Sequence, residues 1–130
     1  DDADHKHDSR IGTFSYRMPA EMTLESSNEF LRSVLMEKGQ NIYRMKGFLA
    51  IQGQEDKFVF HSVGMLFNCT PYMKWKAGEK RECLFVIIGK HLEQKWLEDR
   101  FKAAAINLEG KVETVKHKNL EENLEANKNQ

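Results

Sequence analysis

Three side chains near the start of the chain have the chemistry of metal ligands. His5 and His7 lie two residues apart and Asp8 follows directly, so both imidazoles project to the same side of an extended segment. Zinc binds imidazole and carboxylate ligands tetrahedrally, and this trio would need a fourth ligand from another segment. The alternative is a solvated linker, because residues 1–9 are charged or polar apart from Ala3. The sequence therefore offers a candidate zinc site, with a linker as the commoner role for such a segment.

A second candidate group consists of three cations. Arg44 and Lys46 share one face of a predicted strand, and Arg81 precedes the next apolar strand. Guanidinium and ammonium groups near one sheet face would bind an acidic protein surface or a phosphate. Solvated strand residues with apolar stems lying on the sheet would give the same pattern. We take Arg44, Lys46 and Arg81 as candidate partner-binding residues, with solvation as the alternative.

Motifs of catalysis are missing from the sequence. Its nearest approach to a phosphate-binding glycine loop, residues 76–80, lacks the spacing and the hydroxyl side chain of a P-loop. No serine or cysteine lies in a nucleophile motif. Cys69 and Cys83 do not have the spacing of a disulfide framework or a zinc knuckle, and His61 has the setting of an ordinary strand residue. The sequence predicts no enzyme activity, no catalytic residue and no bound cofactor for this chain, except zinc at the N-terminal cluster.

The composition argues against two broad classes of partner. The 130 residues carry 20 basic and 20 acidic side chains, so the chain lacks the basic excess of nucleic-acid-binding proteins. The longest uninterrupted apolar run, residues 84–88, is far too short to span a membrane. Two cysteines without disulfide spacing are typical of a reducing compartment, so a cytoplasmic location is expected.

The spacing of apolar residues predicts six elements of secondary structure. Residues 11–18 alternate as a strand, Thr23 is a candidate helix N-cap, and Gly39 is a candidate helix stop. The predicted elements are strand 11–18, helix 24–38, strand 42–52, strand 57–67, strand 83–88 and helix 92–106. Turn-forming residues, among them Pro71, predict a loop over 68–80.

This order of elements, β-α-β-β-β-α, predicts an α+β fold. Hairpin-linked strands and a helical crossover give an antiparallel-rich, four-stranded sheet with two helices packed on one face, a variant of the ferredoxin-like arrangement. The folded domain is expected to extend over residues 10–108, after a linker of residues 1–9 and before a polar tail of residues 109–130. The sequence leaves the order of the strands open.

Several segments, in the same order along the chain, resemble the C-terminal domain of the CobW family of metallochaperone GTPases. Residues 43–49 (Tyr-Arg-Met-Lys-Gly-Phe-Leu) are similar to the family's Arg-x-Lys-Gly-hydrophobic strand, and residues 58–63 are similar to its next strand. Residues 81–92 are similar to the family's last strand with its Ile-Gly-Lys element. Residues 61–64 (His-Ser-Val-Gly) depart from the family, which often has Gln and Gly first and His last. The resemblance covers residues 4–108.

The resemblance implies a function that depends on a second domain. In the CobW family a GTPase domain lies N-terminal to this one and carries the P-loop, the magnesium ligands and a Cys-x-Cys-Cys metal motif, so GTP and magnesium would bind outside this chain. A chain that starts at Asp1 without a methionine fits a piece cut from such a protein. The implied role is the regulatory and partner-binding domain of a GTP-dependent metallochaperone that delivers metal to client proteins. Zinc is the metal expected.

Two other functions stay open at this point. The chain could be a metal-binding module that uses His5, His7 and Asp8 directly, or a scaffold subunit of a larger assembly without a GTPase domain. Under the metallochaperone hypothesis, the expected partners are the N-terminal GTPase domain of the same protein and a metalloprotein client. Neither nucleic acid nor membrane is expected.

Overall fold

The computed structural model describes residues 11–116, and its first strand follows the alternation of the sequence. Strand β1 (Ile11–Met18) buries Tyr16 and Met18 against the helices and leaves Ile11 and Thr13 exposed. Because successive side chains of a strand point to opposite faces, this alternation separates a buried face from a solvated one. The predicted strand at residues 11–18 is confirmed.

Helix α1 (Leu24–Lys38) begins at a reciprocal cap. The Thr23 hydroxyl oxygen accepts from the Ser26 backbone N–H at 2.9 Å, and the Ser26 hydroxyl accepts from the Thr23 N–H at 3.0 Å. This capping box satisfies two donors that the first helical turn leaves unpaired. The helix buries Phe30 and Val34 and continues into a 3₁₀ turn, Gly39–Asn41. The predicted helix and its N-cap are confirmed.

The sheet has six antiparallel strands where four were predicted, which corrects the expected architecture. Besides β1, its strands are β2 (Ile42–Ala50), β3 (Asp56–Val63), β4 (Leu66–Lys74), β5 (Cys83–Lys90) and β6 (Glu113–Thr114). They lie in the order β4-β3-β2-β5-β1-β6. Strand β4 takes up half of the predicted loop 68–80, and β6 lies in the predicted polar tail. Both are edge strands, and an edge strand is half-solvated and tolerates residues such as Pro71.

The second helix is shorter than expected and completes the core. Helix α2 (Gln94–Ala103) lies inside the predicted range 92–106 and buries Leu97 and Phe101. Both helices pack on the same face of the sheet, where the ring of Phe85 lies 4.9 Å from Phe30 and 5.6 Å from Phe101, between ring centroids. The prediction of an α+β fold with two helices on one face is confirmed.

Candidate functional site

The sheet face that points away from the helices carries two of the predicted partner-binding residues. The register places Lys46 between His61 of β3 and Val86 of β5, and Arg44 between Val63 and Ile88. These cross-strand neighbours form two parallel rows, which continue onto β4 and β1. From β4 to β1, the first row is Asn68, His61, Lys46, Val86 and Ser15, and the second is Leu66, Val63, Arg44, Ile88 and Thr13. We call these two rows the outer rows.

The outer rows form a cationic surface. Arg44, Lys46 and His61 are exposed, and no residue of either row is acidic. Within residues 11–116, neither Arg44 nor Lys46 makes an ion pair. Their charges are therefore available to an acidic surface, beside the exposed apolar side chains of Val63 and Leu66. Opposite charges across a rim set orientation and association rate more than affinity.

The other half of this sheet face is covered by the chain itself. Trp75 meets the ring of Phe48 edge to face at 6.0 Å between centroids, over buried Leu84. Val115 packs on the same small cluster, and its backbone N–H donates to the Ser15 carbonyl at 2.9 Å. The cover also buries Val86 and Ser15 of the first row, so the open part of the face lies at the exposed residues Arg44, Lys46 and His61.

Arg81 lies at the opposite end of the sheet from Arg44. Arg44 is aligned with Ile88, whereas Arg81 comes before Cys83, where β5 begins, so at about 3.3 Å per residue about 16 Å of strand lies between the two positions. The Arg81 Nε donates to Glu21 Oε2 at 2.6 Å, and Nη2 donates to the Ile51 carbonyl at 2.8 Å. The hydrogen bond from Arg81 is the main reason why the pKa of Glu21 lies below its usual value. The structure thus brings Arg44 and Lys46 together and gives Arg81 contacts within the fold.

A buried lysine that the sequence analysis overlooked lies beside Arg81. Lys57 Nζ contacts Glu79 Oε2 at 2.9 Å and lies 4.6 Å from the ring centroid of Trp75 and 4.9 Å from that of Phe48. Its side chain is 4% exposed. Burial raises the pKa of Glu79, but hydrogen bonds from Lys57 and from the Lys76 backbone outweigh it, so the pKa is lowered overall. The sequence did carry one signal for this burial. Lys57 lies two positions before Val59 in an alternating strand, so the two side chains share a face.

The predicted metal ligands His5, His7 and Asp8 lie outside the described residues. Within residues 11–116 no three His, Cys, Asp or Glu side chains are grouped so that they could hold a metal ion. Cys69 and Cys83 are free thiols, and burial raises the pKa of Cys83 to about 12. Because thiolates, not thiols, bind metals and act as nucleophiles, Cys83 is a packing residue.

Helices of the described region are short or polar. None of them is long and apolar enough to cross a membrane.

Both sequence and fold are similar to those of known proteins. The family model of the cobalamin synthesis protein CobW C-terminal domain matches residues 11–105. The zinc chaperone CobW of Pseudomonas aeruginosa is 34% identical over 64 residues, which are 49% of this chain and 17% of that protein. The Zn(II)-bound YjiA GTPase from E. coli has a TM-score of 0.71 at 22% identity, over 80% of this chain and 32% of that chain. A Zn(II)-bound triple mutant of YjiA GTPase gives 0.70 at 21% identity, over 74% and 30%. The chain therefore spans less than one third of each of these proteins.

Proposed function

The chain belongs to the family of CobW C-terminal domains, and we propose that it is the regulatory and partner-binding domain of a GTP-dependent metallochaperone. A relative that matches half of this chain is a zinc chaperone, and the structural relatives are GTPases crystallised with Zn(II). The chain spans only a minor part of those proteins. On this proposal the nucleotide, its magnesium ion and the metal cargo are bound by the preceding part of the polypeptide.

The observation that carries the proposal is the cationic surface of the outer rows. Arg44 and Lys46 lie two residues apart on one face of an interior strand, exposed and without an ion pair inside residues 11–116. A metalloprotein client with carboxylates on its surface would complement these charges. Such a surface positions a partner and needs no catalytic group.

Client binding can depend on the nucleotide if this domain contacts the client differently in two nucleotide states. GTP binding and hydrolysis would change the placement of the nucleotide-binding domain relative to this one. If that change alters access to the outer rows, client affinity depends on the nucleotide, and by linkage the client changes nucleotide affinity by the same factor. Zinc delivery would then follow the nucleotide cycle.

The experiment for the client surface uses a Glu-rich peptide as the acidic probe. Titrated into the ¹⁵N-labelled chain, the peptide should shift the amide resonances of residues 44–46 and 61–63. The double reversal Arg44→Glu/Lys46→Glu should weaken binding about tenfold with little change in melting temperature, because both side chains are exposed. Lys76→Glu/Lys80→Glu is the matched control, since it reverses two exposed lysines at the far end. Equal affinity of all variants would contradict the proposal, and unfolding of the Arg44/Lys46 variant would make these residues structural.

A second measurement tests whether the nucleotide is bound outside this chain. Calorimetry of this chain with GTP and magnesium should give no heat of binding, whereas the complete polypeptide should bind. Clear nucleotide binding or turnover by the chain alone would overturn the proposed function.

A further inference from the structure

Exposed apolar side chains gather at one end of the sheet. Among residues 11–116, ten large hydrophobic side chains are exposed, and seven of them lie where β1 begins, α1 ends and β3 turns into β4. Besides Ile11, they are Met36, Tyr43, Val63, Met65, Leu66 and Phe67; we call these six the apolar end. Met36 is 74% and Leu66 80% exposed. A monomer rarely concentrates so much exposed apolar surface at one place unless something binds there.

The apolar end is held in place by packing between helix α1 and the β3–β4 turn. The β3–β4 turn folds back on the end of α1, where the Met65 thioether lies so close to Gly39 that a Cβ on Gly39 would overlap its sulfur. Met36, Met65 and Phe67 help to line a groove of about 370 Å³ between helix and hairpin. Arg32 is the charged residue of that lining. The groove therefore suits an apolar surface that carries a carboxylate.

The opposite end of the sheet has the reverse character. Ion pairs Arg81–Glu21, Lys57–Glu79 and Lys74–Glu55 surround the β2–β3 turn there. The free edge of β4 is also a poor site for adding a strand, because Pro71 has no N–H and a bulge interrupts the β3–β4 ladder between Lys57 and Phe58. The side chains of the apolar end, rather than the backbone edge, are thus the docking feature.

The course of the chain indicates what covers this surface. Ile11 pairs with Lys90 at the same end of the sheet, with β5 and β2 between β1 and the β3–β4 hairpin, so whatever is joined to the N-terminal side of β1 is attached at the end of the sheet that carries the apolar end. A domain joined to this one through the chain before Ile11 is held on a tether and is therefore present at a high effective concentration. Arg32, Arg44 and Lys90 make the rim cationic.

We propose that the apolar end is the docking surface for the nucleotide-binding domain that precedes this domain, through a facing surface with an apolar centre and acidic rim. This inference rests on the proposed function and names the surface through which the two domains communicate. Val63 and Leu66 belong both to the apolar end and to the outer row of Arg44, so a docked domain borders the client surface. Methionine side chains adapt to more than one partner shape, which suits an interface with two nucleotide-dependent placements.

The test uses the complete polypeptide and matched variants at the two ends of the same elements. Met36→Asp/Leu66→Asp places charges on α1 and β4 at the apolar end. Leu24→Asp/Tyr72→Asp does the same on α1 and β4 at the other end, where both side chains are also exposed. In the wild type and the control, amides of residues 63–67 should exchange about tenfold more slowly than in the apolar-end variant. X-ray scattering should give a larger radius of gyration for the apolar-end variant alone.

Two results would overturn the docking proposal. Equal exchange and equal radius of gyration in all three proteins would show that the domain does not dock here. Sedimentation of a wild-type dimer that Met36→Asp/Leu66→Asp dissociates would assign the apolar end to a second copy of the chain. GTP binding by the complete polypeptide, measured separately, distinguishes these failures from a failure of the proposed function.

Discussion

The ring of Phe60 on β3 lies against the α-carbon of Gly47 on β2. The two residues are cross-strand partners, and a Cβ on Gly47 would lie 2.8 Å from Phe60 Cζ and would overlap the carbonyl oxygen of Leu84. Phe60 is 2% exposed. The glycine therefore lets an aromatic ring close the core over the middle of the sheet, where strand β2 also carries the exposed pair Arg44 and Lys46 on its other face.

This contact predicts that Gly47→Ala destabilises the domain by about 2 to 3 kcal/mol, because one atom must displace both a ring and a backbone carbonyl. Urea denaturation measures the free energy of unfolding. Gly12→Ala is the matched strand control: its Cβ would meet only the Phe14 ring, at 3.1 Å, and a side chain at a strand end can move. Equal losses in the two variants would contradict the close approach as the cause.

The Glu21–Arg81 pair predicts a pH dependence of stability. Since the hydrogen bond from Arg81 keeps the folded-state pKa of Glu21 below its usual value, the unfolded chain takes up the proton first as the pH falls. The pair's contribution is complete above the usual glutamate pKa and is lost as the pH drops through the folded-state pKa. Glu21→Gln should therefore cost about 1 kcal/mol near pH 7, and the difference from wild type should be smaller near pH 3, below the usual glutamate pKa.

Urea denaturation at both pH values checks this sign. Glu113→Gln, on exposed β6 and outside the ion pairs of residues 11–116, should show no such difference. A deficit of Glu21→Gln that grows in acid would disprove the assignment.

Neutralising Lys57 and neutralising Glu79 should lower the free energy of unfolding by unequal amounts. Lys57 is 4% and Glu79 26% exposed at the side chain, so Glu79→Gln removes one charged contact of a buried ammonium that also lies over the rings of Trp75 and Phe48, whereas Lys57→Met leaves a carboxylate that water can reach. We expect a greater loss for Glu79→Gln than for Lys57→Met, because the ammonium is the more deeply buried of the two charges. The double variant should be more stable than Glu79→Gln alone.

The exposed pair Lys74–Glu55 provides the control for this comparison. Its side chains are 76% and 83% exposed, so Lys74→Met should change the free energy of unfolding by less than about 0.5 kcal/mol. If Lys57→Met were the costlier of the two buried-pair variants in urea denaturation, the proposed asymmetry would be wrong.

Zinc binding by the N-terminal residues stays a prediction, since His5, His7 and Asp8 lie outside the described residues. If they bind zinc, His5→Ala/His7→Ala should weaken the affinity of the chain at least about tenfold in a calorimetric titration, because two of three ligands are lost. His61→Ala/His91→Ala keeps the histidine count equal and should leave the affinity unchanged. Equal affinities of wild type and both variants would exclude the arm as a zinc site.

Sequence reasoning worked where a single segment decides its own structure. The alternation of residues 11–18 and the helical spacing after Thr23 gave β1 and α1 with the observed bounds. The sequence predicted a loop where β4 lies, because seven of the nine residues of that strand are exposed and Pro71 interrupts its pattern. Such a strand forms only because the ladder of β3 supplies hydrogen-bond partners, and a partner distant in space leaves no local signal.

The same division holds for the candidate surfaces. The sequence by itself determined that Arg44 and Lys46 share a strand face, because side chains alternate with a period of two. Only the tertiary structure decided that Arg81 lies at the other end of the sheet from Arg44 and instead contacts Glu21, since strand direction and order set their separation. Only the tertiary structure, too, collected Met36, Met65 and Leu66 at one end, because a helix terminus and a hairpin turn meet there through packing of elements far apart in the chain.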